Sequence, residues 1–130
     1  MSTNHTHYMQ LAIEEARIGE AEGNQPVGSL LVLGGEVIAR GHNLALSTLD
    51  VTAHAETVTL RNAGPATGVI EFPDATLYTT FQPCPMCLGA IMTARVSTLV
   101  LGGMPNLQGS AYGDYTMEKL LQLTGWSDKL

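Results

Sequence analysis

The residue types best able to do chemistry fall in two short stretches, Thr52-Ala53-His54-Ala55-Glu56 and Pro83-Cys84-Pro85-Met86-Cys87. One imidazole and two thiols are ligands that zinc favours. Three protein ligands leave the fourth tetrahedral position open, which marks a catalytic rather than a structural metal. An ion there lowers the pKa of its bound water from about 15.7 towards about 7, giving a hydroxide at neutral pH. Glu56, two residues after His54, is a carboxylate placed to carry protons to and from that water. The same donors also accept iron, so zinc is read from ligand type alone.

Other readings of the same residues are weaker. A Cys-x-x-Cys by itself suits a redox pair. The upstream His-x-Glu and the prolines on both sides of Cys84 favour the metal. A structural zinc site wants a fourth protein ligand. There is no third Cys, and the other histidines are His5, His7 and His42. His42, next to Asn43, reads as a strand-end residue, and His5 and His7 as an exposed, mobile terminus.

Elements must then bring the two stretches together. Residues 6–22 show apolar positions near helical spacing, ended by Gly23-Asn24-Gln25-Pro26. Residues 27–33 are a nearly continuous apolar run, as in a strand covered on both faces. Gly34-Gly35 is a hairpin signal, and residues 36–42 return as its partner. A loop over 43–51 leads to a helix from about Thr52, a candidate cap, to about Ala63, ended by Gly64-Pro65. A strand over 75–80, a helix over 84–95 and a strand over 97–101 follow. Residues 102–114 are glycine-rich and irregular, and 115–123 close as a short helix. The pattern predicts one α/β domain over residues 1–130, a three-layer α/β/α sandwich with a mixed central sheet of about five strands. Cys84 and Cys87 then start one helix and His54 another. The positive end of a helix dipole favours thiolates, and open α/β sheets bind ligands at their carboxyl ends.

Composition narrows the class. With 45% apolar and 14% charged residues the 130-residue chain is globular. Two cysteines exclude a disulfide framework, and no apolar run approaches a membrane span. A cytoplasmic protein with reduced thiols is expected. Net charge is −6, and six Lys and Arg cannot build much of a basic face. That argues against a nucleic-acid partner and for a small neutral substrate.

His54-Ala55-Glu56 followed by Pro83-Cys84-Pro85-Met86-Cys87 resembles the cytidine deaminase superfamily, in the branch of cytosine, guanine and tRNA adenosine deaminases. The resemblance runs from about residue 6 to about 103. It includes Pro26-Val27-Gly28, Gly41-His42-Asn43 and Thr76-Leu77-Tyr78-Thr79-Thr80. It implies zinc as cofactor, Asn43 and the backbone at Ala55 as substrate contacts, and a homodimer. Asp50-Val51-Thr52 stands where relatives often have Asp-Pro-Thr, and Gln82 where many have Glu. Neither position is a ligand. Phe81 could stack on a ring. Beyond Gly103 the resemblance fades, and Tyr112, Asp114, Tyr115 and Glu118 are the candidates to close the pocket.

The leading expectation is hydrolytic deamination of a free base of cytosine type, or of guanine or an aminotriazine, with release of ammonia. The alternatives are a tRNA adenosine deaminase and a catalytically silent, zinc-stabilised dimeric module.

Overall fold

The computed structural model describes residues 4–104 and 112–130. Its first strand shows why helices cover both faces of the sheet. In β1 (Gly28–Leu33), Leu31 packs with Leu77 and Ile91 on one side, while Leu30 and Val32 pack with Ala12 and Tyr78 on the other. Alternate side chains of a strand point to opposite faces, so an unbroken apolar run needs two apolar partners.

Helix α1 (His5–Ala21) covers one face. Helices α3 (Ala55–Thr67) and α4 (Pro85–Thr93) cover the other. Between the layers lie β1, β2 (Glu36–His42), β3 (Thr76–Phe81) and β4 (Thr98–Met104), in the order β2-β1-β3-β4. β1 is antiparallel to both β2 and β3, and β3 is parallel to β4 through α4. A short α2 (Ala45–Thr48) follows β2, and α5 (Met117–Thr124) packs on α4. This is the expected three-layer α/β/α sandwich with a mixed sheet, with four strands among the described residues where about five were expected.

Antiparallel pairing sets the start of β1 beside the end of β2 and the end of β3, with Gly28 opposite His42 and Ser29 opposite Thr79. Two glycines clamp this end of the sheet between helices. A Cβ on Gly28 would fall 2.0 Å from the Ala12 carbonyl oxygen of α1. A Cβ on Gly41 would fall 2.8 Å from the Thr59 nitrogen of α3. Only glycine permits either approach.

Several local expectations are corrected. Helix α3 starts at Ala55 with His54 as N-cap, and Thr52 instead belongs to the preceding turn, its hydroxyl donating to Asp50 Oδ1 at 2.6 Å. The helix also passes Gly64-Pro65 and ends at Gly68 in the left-handed region. Proline crowds the Cβ of the residue before it, and Gly64 has none. The loop over 43–51 holds α2, and β4 runs on through Gly102 to Met104; residues 105–111 of the stretch read as irregular lie outside the described residues. His5 is not a loose terminus: it begins α1, and its Nδ1 lies 2.7 Å from the Tyr78 hydroxyl. Among the described residues no helix is long and apolar enough to cross a membrane.

Candidate active site

Two helix starts face each other beside the end of β3. His54 is the N-cap of α3 (φ −77°, ψ 162°) and Cys84 the N-cap of α4 (φ −71°, ψ 171°). Neither side chain caps its own helix, so both are free to turn into the gap between the two helices. Cys87 comes from the first turn of α4 and is buried. His54 Nδ1 lies 3.6 Å from Cys84 Sγ and 3.4 Å from Cys87 Sγ. A tetrahedral zinc with ordinary Zn–N and Zn–S lengths sets N and S about 3.5 Å apart. Both His54–Cys distances therefore match those of a zinc site, and the three ligand atoms all lie within 4.8 Å of one another.

The electrostatics suit a cation. The hydrogen bond with the Cys87 thiol pulls Cys84 down to about 4 against the effect of burial, and His54 adds to the pull. The same bond, with burial, pushes Cys87 up, so Cys84 holds the negative charge of the pair. The hydrogen bond to Cys84 raises His54, again against burial. An anionic sulfur at a helix N-terminus is well placed to take a metal ion. Glu56, 3% exposed, is pushed up to about 7 by burial, opposed by a hydrogen bond from its own backbone N–H and raised further by the Cys84 charge. A carboxyl in that range exchanges a proton near neutrality.

Above the donors lies a cavity of about 420 Å³. His54, Glu56 and Cys84 line its floor, and Asn43, Ala55 and Phe81 line it as well. Asn43 follows the end of β2, and its Oδ1 accepts the Ala45 N–H at 2.9 Å. That bond orients the amide and leaves Nδ2 as the donor for a ligand. Ala55 is the first residue of α3, where backbone N–H groups lack intrahelical acceptors. Of the tail residues, Tyr112 lines the cavity, whereas Asp114 is exposed and not in the lining. Its backbone carbonyl accepts from Lys119 Nζ at 3.1 Å. Glu118 is an exposed residue of the first turn of α5. Tyr115 reaches the site from outside, its hydroxyl donating to the Pro83 carbonyl at 2.8 Å.

Gln25 and Gln82 also line the cavity. Neither stood out in the sequence, where Gln25 read as part of a helix stop and Gln82 only as a departure from relatives. Their one signal is adjacency, to Pro26 and Pro83.

The profile of the cytidine and deoxycytidylate deaminase zinc-binding region matches residues 2–103. The tRNA-specific adenosine deaminase of Bacillus subtilis (strain 168) is 43% identical over 115 residues, 88% of this chain and 70% of that protein. A solved structure from work on A-to-I editing by tRNA:A34 deaminases at the wobble position is 42% identical. It superposes with a TM-score of 0.79 over 87% of this chain and 86% of that one. The guanine deaminase structure from Bacillus subtilis is 32% identical, with a TM-score of 0.76 over 92% of this chain and 76% of that one.

The relatives overturn two expectations, that the substrate is a small free base of cytosine type and that nucleic acid is not a partner. The charge argument failed because net charge is a sum over the whole chain. Sequence-specific RNA recognition relies on unstacked bases of single-stranded loops, read by stacking and by hydrogen bonds in a pocket. The reaction class stands apart from that correction. A profile match across most of the chain and a donor set shaped for zinc make this chain a zinc-dependent deaminase, and it belongs to the cytidine and deoxycytidylate deaminase family.

Proposed function

We propose that this chain is a tRNA adenosine deaminase that converts an adenosine of the anticodon loop, at the wobble position, to inosine. The observation that carries this reading is the 43% identity to a tRNA-specific adenosine deaminase across 88% of the chain. The cavity is compatible with it, since its described lining residues include no lysine or arginine and so suit the neutral face of a base. The target base would be turned out of its loop into the cavity, which costs least where the base is already unpaired.

His54, Cys84 and Cys87 hold the metal. When bound, zinc acts as a Lewis acid that makes a water nucleophilic at neutral pH. Asn43 Nδ2 donates to a ring acceptor, the Ala55 N–H to a second, and Phe81 packs on the ring. Together they fix the purine with its amine-bearing carbon over the donors. Glu56 accepts a proton from the attacking water and delivers it to the adjacent ring nitrogen. It then takes the second proton, from the hydroxyl now on the ring carbon, and passes it to the departing amine as the C–N bond breaks. Water oxygen replaces the exocyclic nitrogen, the products are inosine and ammonia, and Glu56 ends in its starting state.

The test is to incubate zinc-loaded protein with an anticodon stem-loop carrying adenosine at the wobble position, and separately with free adenosine, cytosine and guanine. Inosine in the RNA alone, lost with a chelator and restored by zinc, is expected. Turnover of a free base or nucleoside with none in the RNA at low salt would overturn the reading.

A further inference from the structure

His42 sits between two carboxylates that the chemistry above does not use. Its Nδ1 is 2.9 Å from Glu15 Oε1 and its Nε2 is 2.8 Å from Glu22 Oε1. Glu15 is buried in α1 and Glu22 is its C-cap. From β2 itself, Arg40 reaches Glu15 at 3.7 Å. Both ring nitrogens face an acceptor, so both must donate, and that requires the imidazolium. The helix is built around the ring. A Cβ on Gly19 would meet His42 Cδ2 at 3.0 Å, so a glycine stands inside α1 despite its poor helix propensity. Gly28 lets the same helix lie against the neighbouring strand, which brings Glu15 within reach.

The residue after His42 is Asn43, and in extended chain the two side chains point opposite ways. The clamp on His42 faces α1 and Asn43 faces the cavity. A second tie from the same helix end holds the other side of Asn43. Asn24, 5% exposed, accepts the N–H groups of Leu46 and Ser47 at 3.1 and 2.9 Å and donates to Ser47 Oγ at 3.0 Å. Asn43 is thus strung between two anchors, with its own N–H on the Val27 carbonyl at 3.1 Å. We propose that His42, gripped by Glu15 and Glu22, is a positioning residue that fixes the Asn43 amide for the substrate base. The inference rests on the proposed substrate contact of Asn43. It adds a cause outside the cavity for that contact's geometry.

The experiment reads Asn43 directly and then through catalysis. In zinc-loaded, ¹⁵N-labelled protein the Asn43 side-chain amide pair is followed in wild type, His42→Ala, His42→Gln and Glu22→Gln, with Gln122 in α5 as a remote control. His42→Ala is expected to shift and broaden the Asn43 signal and leave Gln122 in place. On the anticodon stem-loop it should raise KM about fivefold, the value of one neutral amide–base hydrogen bond, with a smaller change in kcat. His42→Gln, which can still donate to one carboxylate, should recover part of both. In wild type the Asn43 signal should move with pH in step with the His42 ring, whose charged neighbours among the described residues are Glu15 and Glu22, with Arg40 on Glu15. If His42→Ala does not fold, the exposed Glu22→Gln and the wild-type pH series carry the test. An Asn43 signal that ignores these changes, with KM unmoved and only the melting temperature lowered, would overturn the proposal. Failure of wild type to deaminate the RNA would count against the proposed substrate and leave the amide readout to decide this one.

Discussion

The Tyr115 hydroxyl donates to the Pro83 carbonyl at 2.8 Å, tying the segment before α5 to the residue ahead of the first cysteine. The bond spans 32 positions and braces the turn that presents Cys84. Replacing Tyr115 with Phe keeps the ring and removes only the bond. About 1 kcal/mol is at stake, or roughly fivefold in zinc affinity if the brace is lost from the metal-bound form. Competition with a chromophoric chelator checks this, and an unchanged affinity would mean the turn holds its shape unaided.

Glu56 is buried directly beside the donors, so its carboxyl can be tested apart from metal binding. Glu56→Gln is nearly isosteric and keeps the capacity to hydrogen-bond. Loss of a positioned proton carrier should cut kcat by about 10²- to 10⁴-fold. Zinc content, measured by elemental analysis, should stay at the wild-type level. A variant with full zinc and wild-type inosine formation would remove Glu56 from the mechanism.

The clamp at the site end of the sheet predicts a stability effect. A Cβ at Gly28 would meet the backbone of α1 at Ala12 and Ala16, at 2.0 and 2.5 Å, so no flexible side chain can yield. Gly28→Ala must push α1 off β1, at about 1–3 kcal/mol or more. Urea unfolding measures it. Because Glu15 moves with α1, the same variant should also loosen the His42 contacts.

How far the sequence revealed this molecule depends on range. His54, Glu56, Cys84 and Cys87 are readable because each pair sits within one short motif, and helix starts are signalled locally by proline and by broken periodicity. The sandwich is readable for the same reason, since Leu30, Leu31 and Val32 announce two covered faces on their own. What failed was non-local or global. Glu15 and Glu22 lie 27 and 20 positions from His42, and nothing in the sequence pairs them. Gly64-Pro65 looks like a stop until the missing Cβ of Gly64 is weighed. The substrate was misjudged from a net charge, a quantity blind to where the six cations sit.

The His42 clamp should also shape stability against pH. Burial, the largest single effect, pulls His42 down, but the hydrogen bonds to Glu15 and Glu22 and the charges of both carboxylates together raise it above its ordinary 6.5. A raised folded-state value means that the folded protein binds this proton more tightly than the unfolded chain does. Its contribution is therefore fully present below 6.5 and is lost as pH climbs through the higher folded value. His42→Gln cannot carry that charge. The difference in unfolding free energy between wild type and His42→Gln should be largest on the acid side of 6.5, so long as both glutamates stay ionised, and shrink through neutrality. Urea titrations across that range check the slope. A difference that grows with pH would mean that His42 is neutral between its two carboxylates, with one ring nitrogen turned unprotonated towards an acceptor.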